Sequence, residues 1–192
     1  ELWSPVGIST VDMSASYYYD NGYWNGSVWC PYQYFLWKAM LDIGEGQFAF
    51  DIAHRGLNSW KQEIEFSYNT FEMIQIETER GGWFHQFSGL STPISIWYNA
   101  YYKRGTLTTG YDTWIEKKEI SKDVDHAEIV YSTTGTHTGV LLIVMNSLYH
   151  YDVEIDGKKA EFIEREKGVI EITLNRKEGA VSYTHLTLPT IA

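Results

Sequence analysis

The chain has 192 residues, of which 44% are hydrophobic and 21% charged, and its formal net charge is −10. This composition is typical of a globular protein, and an acidic balance without a basic stripe argues against nucleic acid or an anionic membrane surface as a partner. No apolar run approaches the roughly eighteen residues of a membrane span. Cys30 is the only cysteine, which excludes an intrachain disulfide and is compatible with a reducing compartment such as the cytoplasm.

The first half of the chain has helical patterns and holds seven of the eight tryptophans. A helix is predicted over Pro31–Ile43, because proline is favourable in a first turn and the following Gly-Glu-Gly ends the helix. A second helix is predicted over Gln47–Phe66, where apolar residues recur at helical spacing. A long aromatic and acidic loop is expected over Ser67–Phe87, and a third helix over Leu90–Lys103.

After Gly105 the sequence changes to short β-branched or alternating runs broken by Gly, Asp and Asn. Such runs predict a small antiparallel β domain, a β-sandwich, over residues 106–179. Within it, Asp156-Gly157 is the signal of a tight hairpin turn. The sequence therefore predicts two parts, a helical one over residues 1–105 and a β one after it.

The last residues of the chain, VSYTHLTLPTIA, continue no earlier pattern. They resemble the translated sequence of a transposase adapter used in DNA library preparation. Residues 180–192 are therefore interpreted as a non-native tail and set apart from the reasoning on the fold. We expect residues 181–192 to make few contacts with the rest of the chain.

Common catalytic signatures are missing from the sequence: it has no nucleophile elbow, phosphate-binding loop or helical zinc-binding pair. The six histidines are scattered, without the spacing of a metal site on a helix. No metal or other cofactor is expected.

Carboxylates among aromatic residues are the remaining candidates for chemistry. Glu72 lies in an apolar stretch of the predicted loop, and an acid in such surroundings suits a precisely placed carboxylate, although an ordinary loop glutamate is an equal alternative. Glu63 and Glu65 are expected to be solvated at the end of a helix, and Glu77 and Glu79 to lie on the loop surface.

The stretch GYWNGSVW, residues 22–29, places two tryptophans beside a polar amide. Aromatic faces stack on the apolar faces of sugar rings while amides bond the hydroxyls. Trp24, Asn25 and Trp29 are therefore candidates to bind a sugar, and Trp83 and His85 are candidates for the same surface. The alternative for these residues is a structural role in the core or on the surface.

These segments together resemble the end of the catalytic domain of glycoside hydrolase family sixty-three and, more loosely, the trehalases of the same clan. The resemblance spans about Asp20 to Tyr102. It is carried by Tyr23-Trp24, Gly26 and Val28-Trp29, then by Glu72 and finally by Phe87-Ser88, in the family's order and spacing. The sequence differs from the family at Asn25, where arginine is common, and at Gly89, where tryptophan is usual.

The resemblance implies that residues 1–105 are the last helices of an (α/α)6 toroid. It also implies hydrolysis with inversion and without a cofactor, in which Glu72 is the general base that deprotonates the attacking water. In inverting enzymes the two carboxyl groups lie about 6.5–9.5 Å apart. The family's general acid is an aspartate earlier in the chain; Asp12 and Asp20 do not match its motif, so the sequence is interpreted as a C-terminal fragment.

The expected function is therefore that of a fragment of an inverting glycoside hydrolase, inactive alone, whose parent acts on α-linked glucosides or related oligosaccharides. The oligosaccharide substrate is the expected partner, and neither nucleic acid nor a membrane is expected. Two alternatives remain at this point. One is a non-catalytic carbohydrate-binding relative, and the other is a helical and β interaction module whose aromatic residues are purely structural.

Overall fold

The computed structural model of the protein describes residues 1–134, 136–174 and 178–186. The described chain forms two compact units. The first unit comprises residues 1–37 and 47–98, and the second comprises residues 38–46 and the part of the chain from residue 99 onwards. The domain boundary expected between residues 105 and 106 stays a prediction.

The helices lie where the sequence predicts them. In chain order, the elements of the first half are β1 (Trp3–Ser4), β2 (Gly7–Ile8), α1 (Cys30–Asp42), α2 (Gly46–Ser67), β3 (Phe71–Ile74), β4 (Gly81–His85), a short 3-10 helix (Ser88–Ser91) and α3 (Thr92–Tyr102). The three predicted helices are thus confirmed to within two residues at each end.

Two helices of the first unit meet at a glycine. A side chain on Gly56, in the interior of α2, would have its Cβ only 2.4 Å from the Trp97 ring on α3. Glycine in a helix interior costs about 1 kcal/mol relative to alanine. No larger residue fits at this position, because the fully buried indole of Trp97 occupies the space that a side chain would need.

The segment predicted as a long loop is instead largely a β-hairpin. Strands β3 and β4 pair antiparallel, with Ile74 opposite Gly81. A larger residue at position 81 would overlap the Phe71 ring, because a Cβ built on Gly81 would lie 2.2 Å from that ring. The prediction of an irregular loop over Ser67–Phe87 was wrong because aromatic and acidic composition obscured two short strands.

The second unit carries the remaining strands, and its first strand begins at Leu107, as the sequence predicts. The strands are β5 (Leu107–Thr109), β6 (Thr113–Ile120), β7 (His126–Thr133), β8 (Gly139–Val144), β9 (His150–Ile155), β10 (Lys158–Lys159), β11 (Ile163–Glu166), β12 (Val169–Leu174) and β13 (Glu178–Leu186). They form an antiparallel five-stranded sheet of order β10-β9-β13-β7-β6 and an antiparallel four-stranded sheet of order β11-β12-β8-β5.

Both sheets contribute to one hydrophobic core. Ile129 and Val153 of the five-stranded sheet are buried in the same cluster as Ile143 and Ile172 of the four-stranded sheet. Alternating residues of facing sheets pack in this way in a β-sandwich. The turn between β9 and β10 has a positive φ at both Asp156 and Gly157, which is the conformation expected of a tight hairpin turn.

The expectation of few contacts for the end of the chain is contradicted over residues 181–186. These residues belong to β13, which pairs with β7 on one side and β9 on the other, and Val181 is buried. Residues 187–192 lie outside the described part of the chain. The assignment of residues 180–192 to a non-native tail stays a prediction about the origin of that sequence.

The predicted (α/α)6 toroid is wrong. The described chain has three α-helices and mostly small antiparallel sheets, without evident toroid helices. Such a fold requires repeated helical hairpins, whereas a β-hairpin separates α2 from α3 and two very short strands precede α1. The toroid had been carried over from the resemblance, and the helical periodicity of these residues accounts only for the three helices.

Candidate active site

The loop of residues 22–29 is a compact turn held by its backbone. The N–H of Tyr19 donates to the carbonyl of Asn25 at 3.0 Å, and the N–H of Gly22 donates to the carbonyl of Tyr19 at 2.6 Å. A Cβ on Gly26 would lie 1.8 Å from that same Tyr19 carbonyl. Gly26 is therefore required because two backbone segments approach closely at this point. The Trp24 side chain is exposed at this turn.

Backbone hydrogen bonds tie this loop to the strand that carries Glu72. The N–H of Val28 donates to the carbonyl of Ile74 at 2.9 Å, and the N–H of Ile74 donates back to the carbonyl of Val28 at 2.9 Å. Since Ile74 is two residues from Glu72 on β3, this bridge places the aromatic loop beside the glutamate. Residues far apart in sequence are thus brought into one site.

Glu72 is buried, with 6% of its surface exposed. The hydroxyl of Tyr23 donates a hydrogen bond to its Oε1. Its Oε2 is buried as well and accepts no hydrogen bond from the described residues. The bond to the carboxylate, together with burial, raises the pKa of the Tyr23 hydroxyl, so this tyrosine remains protonated at neutral pH.

Aromatic rings surround the Tyr23–Glu72 pair. The ring of Tyr23 meets Trp29 edge-on at 4.7 Å and Trp83 at 4.9 Å between centroids. Trp24 stacks on Trp29 at 3.9 Å with an angle of 10° between the rings. Trp29 is buried, whereas Trp24 and Trp83 are 55% and 58% exposed. The cluster therefore has one buried indole, that of Trp29, and two exposed indoles.

The hairpin has a β-bulge at this point. The register shifts between the pairs formed by Phe71 and Met73, so that β4 has two residues opposite the single residue Glu72. One of them is Trp83, whose φ of 62° lies in the left-handed region. Such a conformation costs roughly 1–3 kcal/mol for a bulky residue and is concentrated at functional sites, where bulges redirect side chains.

The predicted sugar-binding residues have different positions. Trp24, Trp29 and Trp83 lie together around Tyr23, and Trp29 is the buried member of this group. Asn25 shapes the turn, because its side-chain amide donates to the carbonyl of Tyr17 at 2.9 Å. His85 is exposed at the end of β4 and is not among the ring contacts of the cluster.

The predictions for the other acids were correct except for one. Glu77 and Glu79 are exposed, and Glu65 is an exposed partner of Lys61. Glu63 was expected to be solvated, but it is buried and bonded at both oxygens to the Arg80 guanidinium at 2.9 Å. This bond lowers the pKa of the Glu63 carboxyl to about 2, with help from the N–H of Gly81. The position of Glu63 in α2 gave no indication that Arg80, 17 residues further along the chain, would bond it.

Sequence reasoning also missed the role of Tyr23. It appeared only as part of a family resemblance, yet it joins Glu72 to the aromatic rings. A tyrosine beside a predicted sugar-binding tryptophan was the available signal. A hydroxyl that bonds a carboxylate 49 residues further along the chain is a tertiary feature, and local sequence does not encode the pairing.

The described residues contain no group of three or more His, Cys, Asp or Glu side chains arranged to hold a metal ion. In the same part of the chain, each helix is too short or too polar to span a membrane. The site itself presents a buried carboxylate, a tyrosine hydroxyl and exposed indole faces.

Comparison with known proteins supports a relationship to carbohydrate-active enzymes. Residues 1–72 match the family model described as the mannosylglycerate hydrolase MGH1-like glycoside hydrolase domain. No curated protein matches the chain. The matched region includes the aromatic loop and ends at Glu72. Over these residues the chain is similar to a glycoside hydrolase domain.

Proposed function

We propose that this chain is part of an inverting glycoside hydrolase of the type found in family sixty-three. In this proposal Glu72 is the general base, and the general acid is supplied by a part of the parent enzyme outside this chain. The substrate is an uncharged α-linked glucoside or a related oligosaccharide. The similarity of residues 1–72 to a glycoside hydrolase domain supports the reaction class.

One observation carries the proposal: Glu72 is a buried glutamate with one oxygen free of hydrogen bonds from the described residues. Among the residues whose burial is described, the other two buried glutamates, Glu63 and Glu171, are each bonded at both oxygens by an arginine. An arginine bonded in this way neutralises a carboxylate and occupies its lone pairs. Glu72 retains a buried oxygen that no donor among the described residues occupies, and in this proposal that oxygen is assigned to the attacking water.

The exposed indoles support a sugar as the substrate. Trp24 and Trp83 present large exposed faces beside Glu72, and such faces stack on the apolar side of a pyranose. The ring of Trp24 stacks in parallel on the buried ring of Trp29, and this contact limits its movement. A rigid aromatic surface binds with a small loss of side-chain entropy.

The charges of the first unit support an uncharged substrate. The unit holds nine acidic side chains and three basic ones. Each basic side chain is already engaged: Arg55 with backbone carbonyls and the Trp3 ring, Lys61 with Glu65, and Arg80 with Glu63. The first unit therefore carries a net negative charge, which disfavours a substrate carboxylate.

The decisive experiment is Glu72→Gln in the full-length parent enzyme. Turnover should fall by about 10²–10⁴-fold, the usual contribution of a general base, while substrate affinity changes little. Azide should restore part of the rate with a glycosyl fluoride, because azide attacks the anomeric carbon without needing a base and fluoride leaves without a proton.

Glu77→Gln and Glu79→Gln are the matched controls, since both side chains are exposed on the same hairpin. Turnover near that of the wild type in Glu72→Gln, with a collapse in either control, would contradict the assignment of the base. Sugar binding without hydrolysis by the full-length parent would instead favour a non-catalytic carbohydrate-binding protein.

A further inference from the structure

Tyr23 is held in place from three directions. Its ring is clamped edge-on between Trp29 and Trp83. Its backbone carbonyl accepts a hydrogen bond from the indole Nε1 of Trp29 at 2.7 Å. Its hydroxyl donates to Oε1 of Glu72. A phenol that is fixed in this way is suited to fix the group to which it is bonded.

We propose that Tyr23 is a positioning residue, which holds the Glu72 carboxylate by Oε1 and leaves Oε2 as the atom that takes the proton from water. This inference rests on the proposed function of Glu72 as general base. It adds a second residue to the site and distinguishes the two oxygens of the carboxylate. General-base catalysis requires the base within hydrogen-bond reach of the water, and a tethered carboxylate maintains that geometry.

A tyrosine suits this position better than an arginine. A guanidinium would bond both oxygens, as Arg80 does to Glu63 and Arg165 does to Glu171, and would neutralise the base. The neutral hydroxyl of Tyr23 has one proton to donate, so it engages one oxygen and leaves the negative charge on the carboxylate. The site thus combines orientation with an available base.

The proton balance of the step is simple. Water loses a proton to Oε2 of Glu72 while its oxygen forms a bond to the anomeric carbon, and the glycosidic C–O bond breaks. The general acid of the parent enzyme gives a proton to the departing oxygen. Tyr23 keeps its own proton throughout, which agrees with the raised pKa of its hydroxyl.

The first test is kinetic and uses Tyr23→Phe in the full-length parent enzyme. This change removes only the hydroxyl and keeps the ring between the two tryptophans. We expect kcat to fall by roughly 10- to 100-fold, because a misplaced catalytic group loses effective concentration, with KM changed less than about threefold. Tyr68→Phe is the matched control, since Tyr68 is 86% exposed, and its kcat should remain that of the wild type.

The second test needs no turnover and uses the 192-residue chain. The Tyr23 hydroxyl is titrated by ¹³C NMR of labelled tyrosine in the wild type and in Glu72→Gln. Because the bond to the carboxylate is the main cause of the raised Tyr23 pKa, that pKa should fall in the variant. An unchanged titration would overturn the Tyr23–Glu72 pairing, even if Tyr23→Phe folds poorly.

The outcomes separate the two proposals. If Glu72→Gln loses turnover while Tyr23→Phe keeps a kcat within twofold of the wild type, the positioning role is overturned and the general base stands. If Glu72→Gln keeps wild-type turnover, the general base is overturned, and the positioning role that rests on it is overturned as well. A large fall of kcat in both variants, together with the shifted titration, supports both.

Discussion

Each of the two units buries glutamate, but they use it differently. In the β-sandwich unit, the buried Glu171 is bonded by Arg165 at 2.6 and 2.7 Å, and the Arg165 side chain is 11% exposed. In the unit of the aromatic loop, Glu72 is equally buried, but among the described residues only the hydroxyl of Tyr23 bonds its side chain. A carboxylate that an arginine bonds at both oxygens has a structural role, whereas a carboxylate with one oxygen that accepts no hydrogen bond is a candidate for chemistry.

The exposed tryptophans differ in the same way. Trp114, on β6, is 51% exposed. Trp24 and Trp83 are exposed to a similar degree, but both contact the Tyr23 ring beside the buried Glu72. Exposed single aromatic residues are common on protein surfaces. An indole becomes a candidate for binding when it lies beside a buried polar group and other rings.

The largest expected effect is on stability and tests the comparison of the glutamates directly. Glu171→Gln should lower the free energy of unfolding by about 3 kcal/mol, because the largely buried Arg165 loses its counter-charge. Glu63→Gln should lower it by about 2 kcal/mol, because the Arg80 side chain is 37% exposed and water screens its charge. Glu72→Gln should change it by less than about 1 kcal/mol, because the amide oxygen still accepts from Tyr23. Thermal unfolding of the 192-residue chain by circular dichroism measures all three, and an equal loss in Glu72→Gln would remove the distinction.

The next effect is a pH dependence. Since Arg80 lowers the pKa of Glu63 to about 2, the pair stabilises the fold above the ordinary pKa of glutamate, about 4.3, and this contribution is lost as the pH falls toward 2. Because the Arg80 side chain is 37% exposed, we expect a loss of about 2 kcal/mol after allowing for solvent screening.

Arg80→Ala is the matched test of this dependence. Chemical unfolding at several pH values between 5 and 2 should show a smaller acid-induced loss in the variant than in the wild type. The same slope in both proteins would show that the Glu63–Arg80 pair does not cause it.

A smaller effect is expected on sugar binding. Trp24→Ala and Trp83→Ala should each weaken the binding of a neutral oligosaccharide to the full-length parent by about 1–2 kcal/mol, roughly 5- to 30-fold in Kd. Trp114→Ala removes an indole of similar exposure from the β-sandwich and should leave Kd unchanged. Isothermal titration with Glu72→Gln as the background prevents hydrolysis during the measurement. Equal losses for all three tryptophans would contradict a localised binding surface.

The smallest effect is expected at Cys30, whose thiol should not be alkylated in the folded chain. Cys30 is only partly exposed, and desolvation raises the pKa of its thiol to about 12, so thiolate, the nucleophilic form, is scarce at pH 8. Incubation of the folded chain with iodoacetamide should leave Cys30 unmodified by mass spectrometry, while the chain unfolded in guanidinium chloride is alkylated. Rapid alkylation of the folded chain would show that the thiol is accessible.

Local sequence patterns predicted much of the secondary structure. Apolar spacing and the glycines after Ile43 were sufficient for α1 and α2, and alternation predicted the strands from Leu107 onwards. The hairpin of β3 and β4 was missed, because its two strands are short and their pairing includes a bulge. The resemblance led to a toroid because similar segments were assumed to share a complete fold.

The sequence by itself predicted which residues are candidates for chemistry: the tryptophans of the aromatic loop, and Glu72 in its apolar stretch. These assignments follow from residue type and near neighbours. Only the tertiary structure decided that arginines neutralise Glu63 and Glu171, whereas in the described part of the chain the Glu72 carboxylate is bonded by the Tyr23 hydroxyl. The reason is physical: the partner of a buried charge is selected by distance in space, and the pairing of β3 with the aromatic loop brings Tyr23 to Glu72 across 49 positions of sequence.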